Sequence, residues 1–209
     1  VLQGDKDEYV YLDRSSQAVR NFEALGLSGL IAIGGDGTMT GSSKLIEKGI
    51  PIIGVPKTID NDLVGTDVTF GFDSALVTAT EGIDKLHTTA QSHHRVMLVE
   101  VMGRYAGWLA LASGLAGGGD IILLPEFPYD IEAVCDQVKS RNAQGKTFSI
   151  VVVGEGAREQ GGEMVHRRSF PPHIPPSPSA RPVVRAVPPP AADQADGAVM
   201  HRLSSRGAA

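Results

Sequence analysis

Five short apolar runs, separated by stretches of helical periodicity, constrain the fold of this chain more than any other feature. Gly29 to Ile33, Ile52 to Val55, Val96 to Val101, Ile121 to Leu124 and Ile150 to Val153 are rich in Val, Ile and Leu. Runs of this length and composition predict strands buried on both faces. Between them Phe72, Ala75, Leu76, Ala79, Ile83, Leu86 and Ala90 recur at steps of three and four, which predicts a helix from Phe72 to about Ala90 with Asp73 as its N-cap. Asp130 likewise precedes a pattern that puts Ile131, Val134 and Val138 on one helical face, with Cys135 packed beside them. Alternation at this spacing predicts an α/β fold of mostly parallel sheets with helices on both faces, whose ligands gather at the carboxyl ends of the strands.

The alternation stops near residue 165. Of 13 prolines, nine lie between Pro171 and Pro190, no Lys follows Lys146 and no Glu follows Glu163. Residues 166–209 therefore read as a proline-rich tail, disordered or polyproline-like, with a ligand for a proline-binding module as the functional alternative. No apolar run approaches the roughly 20 residues of a membrane-spanning helix, so no membrane partner is expected. The chain opens on Val-Leu-Gln-Gly-Asp without an initiator Met or a secretory pattern, as a truncated start would. One cysteine, Cys135, allows neither an internal disulfide nor a zinc cluster and points to the cytoplasm. A net charge of -5 and 5% aromatic residues argue against a nucleic-acid partner.

The chemistry is concentrated where predicted strands end. Gly34-Gly35-Asp36-Gly37-Thr38 stands at a strand-to-helix turn, where bare backbone and a helix N-terminus suit a phosphate. Asp36 would repel that phosphate unless a divalent cation sat between them, which suggests Mg²⁺; the same glycines also suit a corner that binds nothing. Pro56-Lys57-Thr58-Ile59-Asp60-Asn61-Asp62 follows the next strand. Two carboxylates beside a Lys and a Thr supply a base, a metal ligand and phosphoryl donors, and in extended backbone Asp60 and Asp62 would share a face. An Asx-rich turn is the plainer alternative.

Ser92-His93-His94-Arg95 and Val101-Met102-Gly103-Arg104 flank a third strand. Arg95 and Arg104 are each suited to bidentate phosphate binding, or to ordinary solvated surface. The adjacent histidines read as a solvated helix end. Gly154-Glu155-Gly156 follows the last strand, and Glu155 could accept hydrogen bonds from sugar hydroxyls. Gly117-Gly118-Gly119 reads as a flexible turn, and Tyr105 and Trp108 as packing residues of a helix after Arg104.

Gly-Gly-Asp-Gly-Thr, Pro-Lys-Thr-Ile-Asp-Asn-Asp, Val-Glu-Val-Met-Gly-Arg and Gly-Glu-Gly, in this order and spacing, closely resemble the 6-phosphofructokinase family over roughly residues 1 to 165. The resemblance implies an incomplete two-domain architecture: a partial nucleotide-binding domain over 1–71 and a partial sugar-phosphate domain over 72–165, as a fragment lacking both ends. It implies phosphorylation of fructose 6-phosphate at its 1-hydroxyl by ATP and Mg²⁺, in glycolysis. Asp60 would be the general base, Asp36 and Asp62 the Mg²⁺ ligands, and Gly35, Asp36, Gly37 and Thr38 the nucleotide contacts. Thr58, Ile59, Asp60, Met102, Gly103, Arg104 and Glu155 would bind substrate. Arg95 would reach a neighbouring subunit's site, which implies a homo-oligomer, a tetramer in the family. Gly37 leaves room for ATP where pyrophosphate-dependent members have Asp, whereas Lys57 is the residue of those members. A pyrophosphate-dependent enzyme and a catalytically silent phosphate-binding fragment are the alternatives.

Overall fold

The computed structural model describes residues 12–162 with their side chains, and residues 2–3, 10–11 and 183–187 by their backbone. These divide into two units. The first holds the described residues through Thr58 together with Leu63–Phe70; the second holds Ile59–Asp62 and the described residues from Gly71 onward. The segment between Thr58 and Leu63 groups with the second unit.

In the first unit a short antiparallel ribbon, β1 (Leu2–Gln3) with β2 (Val10–Tyr11), precedes α1 (Ser15–Ala24), β3 (Leu30–Gly34), α2 (Asp36–Ile46) and β4 (Ile52–Thr58). With β5 (Phe70–Gly71) the strands form a sheet in the order β3-β4-β5. β3 and β4 run parallel, registering Leu30 with Ile52 and Gly34 with Pro56. Side chains alternate across a strand, so Leu30, Ala32 and Gly34 share a face with Ile52 and Gly54. Helix α2 packs on that face so closely that a Cβ on Gly54 would stand 2.7 Å from the Met39 sulfur.

The opposite face is open: Ile31, Ile33 and Ile53 are 70%, 62% and 69% exposed. Burial on both faces, expected from composition, fails here because the described helices cover one side of this sheet. β4 also runs three residues beyond the expected Val55, carrying Pro56, Lys57 and Thr58 into the strand.

The second unit contains α3 (Phe72–His93), β6 (Val96–Val101), α4 (Trp108–Ala116), β7 (Ile121–Leu123), α5 (Ile131–Ala143), β8 (Ser149–Gly154) and β9 (Val183–Val187). The sheet order is β7-β8-β6-β9, with three parallel strands and β9 antiparallel along the β6 edge. β9 lies within the expected tail of residues 166–209. Val183-Val184-Arg185-Ala186-Val187 is a β-branched run free of proline, and such residues suit a ladder. The remainder of that tail lies outside the described residues.

The core is built on one sheet face. Met97, Val99 and Val101 of β6 and Ile150 and Val152 of β8 register side by side and meet Ala79, Ile83 and Ala90 of α3 and Leu109 and Ala110 of α4. Complete burial of a side chain such as Ile83, 0% exposed, contributes about 1.5–3 kcal/mol. Gly117 and Gly119 are packed rather than flexible: a Cβ on either would fall 2.7 Å from Ile83 or 2.9 Å from Val152. His87 adds a 2.7 Å hydrogen bond from its Nε2 to the Gly117 carbonyl.

Local signals place the helix ends. Asp130 caps α5 as expected, its carboxylate accepting from the Glu132 N–H at 2.9 Å. At α3 the N-cap is Gly71, in the left-handed region at φ 111°, and Asp73 lies in the first turn instead. Glycine adopts that φ without penalty, so the corner out of β5 decides the cap. The far end of α5 is tied to the sheet through Asp120, which pairs with Arg141 Nη2 at 2.6 Å and accepts from the Ile150 N–H at 2.9 Å. Arg141 Nε also donates to Ser149 Oγ at 3.0 Å.

Candidate functional site

The Gly34–Thr38 loop joins β3 to α2, with Gly35 as the N-cap in extended backbone and Asp36 as the first helical residue. The amides of Thr38 and Met39 both donate to the Gly35 carbonyl. A Cβ on Gly34 would overlap the Thr38 side chain, and one on Gly35 would sit 3.3 Å from Thr58 Cβ. Those two glycines therefore close the corner, as the plainer reading of the motif has it. Gly37 differs: nothing lies within 4 Å of the position its Cβ would take. Asp36, Gly37 and Thr38 are all exposed. This is open, solvent-facing backbone at the positive end of a helix dipole, an environment that favours an anion.

Thr58 ends β4, and its carbonyl accepts from Thr69 Oγ1 at 2.8 Å. Beyond it the chain bends at Ile59 and Asp60, and Asn61 turns left-handed at φ 53°. The backbone here is not extended, so the expectation that Asp60 and Asp62 share a strand face is corrected; Asn is one of the few residues that tolerate this conformation. The two carboxylates nevertheless lie close enough to interact. Asp60 is half-buried, and its carboxyl is pushed above the usual range, first by burial and then by repulsion from Asp62 and Glu155.

Glu155 reaches this neighbourhood from the turn after β8. Its N–H donates to the Val101 carbonyl at 2.8 Å, and the Gly156 N–H donates to the Gly103 carbonyl at 3.1 Å. Gly103 is left-handed at φ 131°, with no room for a Cβ beside the Ala106 carbonyl. A Cβ on Gly156 would drive into the Arg104 carbonyl. The turns carrying Met102-Gly103-Arg104 and Gly154-Glu155-Gly156 are thus locked edge to edge. Arg104 and Glu155 both project from this join into solvent, and the Arg104 guanidinium lies 5.5 Å from the Tyr105 ring centre. Tyr105 and Trp108 are 68% and 52% exposed, not core packing as expected, because α4 buries Leu109 and Ala110 instead.

Arg95 is not brought into this group. It precedes β6, whose six residues at about 3.3 Å each put the Met102 turn at the opposite end. Its Nε is buried and has no hydrogen-bond partner among the described residues. His93 ends α3 and His94 caps it left-handed, both exposed, as a solvated helix end.

Among the described residues no group of three or more His, Cys, Asp or Glu side chains is placed to hold a metal ion alone. Nor is any helix among them long and apolar enough to cross a membrane. Sequence reasoning missed Glu126, whose carboxylate accepts from the buried Gly107 N–H at 2.7 Å. Its only trace in the sequence is an acidic residue shortly after an apolar run.

The sequence profile described as Phosphofructokinase matches residues 3–181. That match extends past residue 165, where the family-like motifs end. ATP-dependent 6-phosphofructokinase 2 of Clostridium perfringens is 54% identical over 164 residues, covering 78% of this chain and 45% of that protein. The Chloroflexus aggregans ATP-dependent 6-phosphofructokinase is 58% identical over 160 residues, again 45% of its length. This chain therefore spans just under half of these curated relatives. Among solved structures, phosphofructokinase from Saccharomyces cerevisiae superposes with a TM-score of 0.63 at 32% identity, covering 73% of this chain and 24% of that one. A pyrophosphate-dependent phosphofructokinase from Marinobacter aquaeolei gives 0.63 at 31% identity, covering 75% and 43%. With most of its length matched by the profile and its strand-end loops carrying the motifs, the chain belongs to the phosphofructokinase family.

Proposed function

We propose that this chain carries the phosphoryl-transfer core of an ATP-dependent 6-phosphofructokinase, which converts fructose 6-phosphate to fructose 1,6-bisphosphate as a step of glycolysis in the cytoplasm. The observation that carries the reading is Asp60: a half-buried carboxylate in the bend after Thr58, made more basic by burial, Asp62 and Glu155. A base that must accept a hydroxyl proton gains from this shift, since proton transfer improves as the base strengthens. Asp60 takes the proton from the 1-hydroxyl as its oxygen attacks the γ-phosphorus, and ADP leaves. Thr58 and Ile59 place the acceptor and the transferring group. Arg104, with Met102 and Gly103, holds the sugar phosphate, and Glu155 accepts from the sugar hydroxyls. Gly35, Asp36, Gly37 and Thr38 receive the nucleotide phosphates.

The donor set fits Mg²⁺ brought in with a nucleotide. Magnesium takes one or two protein carboxylates and fills its remaining positions with phosphate oxygens and water, so no cage of three acidic side chains is required. Asp36, exposed beside open backbone at Gly37, and Asp62, exposed beside the crowded Asp60, are the residues that would hold it. When bound, the cation neutralises phosphate charge in the transition state.

Arg95, remote from its own chain's Arg104 turn, is assigned to a neighbouring subunit's substrate site in a homo-oligomer, a tetramer. ATP is favoured over pyrophosphate by the open space at Gly37 and by the ATP dependence of the relatives at 54% and 58% identity; Lys57 is the feature that favours pyrophosphate. A coupled assay of fructose 1,6-bisphosphate formation, run with ATP and then pyrophosphate, tests the reading. Turnover with ATP that falls about 10²- to 10⁴-fold in Asp60→Ala is expected for a lost general base. Turnover unchanged by that substitution rejects the role of Asp60.

A further inference from the structure

The turn that carries Arg104 is held at both ends, and its second anchor comes from an unexpected direction. At its start Gly103 is bonded to the Gly156 N–H. At its end Gly107 is the N-cap of α4, and as a glycine it offers that helix no side-chain cap. Gly107 is a buried residue whose bond to Glu126 is partly buried, and a donor left unpaired in such a place is unfavourable. Its partner is Glu126 Oε1, at 2.7 Å, from the segment after β7, 19 residues further on. The approach needs a glycine: a Cβ at 107 would fall 2.7 Å from Glu126 Oε2, 2.9 Å from Leu124 and 3.0 Å from Pro125. A carboxylate there also complements the positive end of α4.

From this geometry we infer that Glu126 is a positioning residue for sugar-phosphate binding, fixing the Met102–Gly107 turn, and with it Arg104, through the Gly107 N–H. The inference rests on the reading of Arg104 as a substrate ligand. Glu126 does not itself touch substrate; it accepts from the N-cap residue's own N–H, the bond that a Glu at N3 makes in a capping box, and sets where the turn ends. Trp108, the only tryptophan in the sequence, adjoins Gly107 and reports on the same place.

The experiment compares the full 209-residue chain with its Glu126→Ala and Glu126→Gln variants. Fructose 6-phosphate is titrated by Trp108 fluorescence, and Gly107 amide exchange is followed without ligand. Glu126→Ala should weaken binding about tenfold and speed Gly107 exchange by a similar factor. Glu126→Gln, whose amide oxygen can still accept, should return both to within about threefold of the parent. A thermal midpoint changed equally in both variants would not reproduce that split, so it separates positioning from general stability. Equal affinities in all three proteins, or unaltered Gly107 protection in Glu126→Ala, overturn the inference. If the parent chain itself does not bind fructose 6-phosphate, the functional reading fails instead. Gly107 exchange then decides the anchor alone: parental protection in Glu126→Ala overturns it, and lost protection restored by Gln supports it.

Discussion

Replacing Gly156 by Ala should do more damage than any other one-carbon change in the candidate site. The added methyl would overlap the Arg104 carbonyl oxygen and stand 2.7 Å from the carbon behind it and 3.1 Å from its Cα, where ordinary contacts begin near 3.5 Å. All three atoms are backbone, so no side-chain rotation relieves the clash and the two turns must separate. Separation lengthens the Gly156 N–H bond to Gly103, 3.1 Å, and threatens the Glu155 N–H bond to Val101, 2.8 Å. Each is worth roughly 1 kcal/mol, and overpacking a close contact costs about 1–3 kcal/mol more. The expected loss is about 3 kcal/mol. Urea unfolding followed by Trp108 fluorescence should show a lower midpoint at unchanged slope, the signature of lost stability rather than a changed unfolded state. Because Arg104 and Glu155 project from the two sides of this join, fructose 6-phosphate affinity should fall as well. A Gly156→Ala protein with the parental midpoint and affinity would refute the lock between the turns.

Asp60→Asn should lower turnover about 10²- to 10⁴-fold while raising the urea midpoint at neutral pH. Its carboxyl is shifted upward by burial, Asp62 and Glu155, so the folded chain binds the proton more tightly than the unfolded one. Stability from this group is therefore present at low pH and lost as pH rises from the ordinary carboxylate range through the raised value; parallel unfolding curves across pH should lose that slope in the variant. Arg141→Met removes the 2.6 Å pair with Asp120 and the 3.0 Å bond to Ser149 and should cost about 1–3 kcal/mol in urea unfolding, because Asp120 stays largely buried with one partner fewer. A Cβ at Gly37 would meet no atom within 4 Å, so in Gly37→Asp the midpoint should hold while the KM for ATP rises at least tenfold and that for pyrophosphate does not.

The second unit was legible because its apolar runs do what such runs most often do: β6 and β8 are buried strands and α3 follows the three-and-four spacing expected of it. The first unit was not, since Ile31, Ile33 and Ile53 have the same composition on a face that the described residues leave open. A run of isoleucine specifies a strand, but not which partner covers it. Candidate site residues were visible as residue types at strand ends, while the backbone joining them was not. The left-handed Asn61 and the Gly71 cap are backbone conformations, and the mutual fit of the Gly103 and Gly156 turns depends on neighbours far apart in sequence. Glu126 left only a faint trace for the same reason: its partner is a backbone N–H, which carries no letter.

The glycines of the site show how function separates from architecture in a chain of this kind. Gly34, Gly107 and Gly156 are each required because another atom occupies the place of the missing Cβ, Gly35 is confined by Thr58 Cβ at 3.3 Å from that place, and Gly103 is required twice over, by its φ of 131° and by the Ala106 carbonyl. Packing accounts for all five without any ligand. Gly37 is the exception within the same loops: among the described residues, nothing beyond its chain neighbours and its own helix backbone lies within 4 Å of where its Cβ would stand. An exposed position in the first turn of a helix would ordinarily gain from a side chain, since glycine loses the most backbone freedom on folding. Retaining the smallest residue at a cost, where no neighbour demands it, is the pattern left when the demanding neighbour is a bound molecule. The same argument makes Gly37, more than the packed glycines around it, the position at which a donor's phosphates would meet this chain.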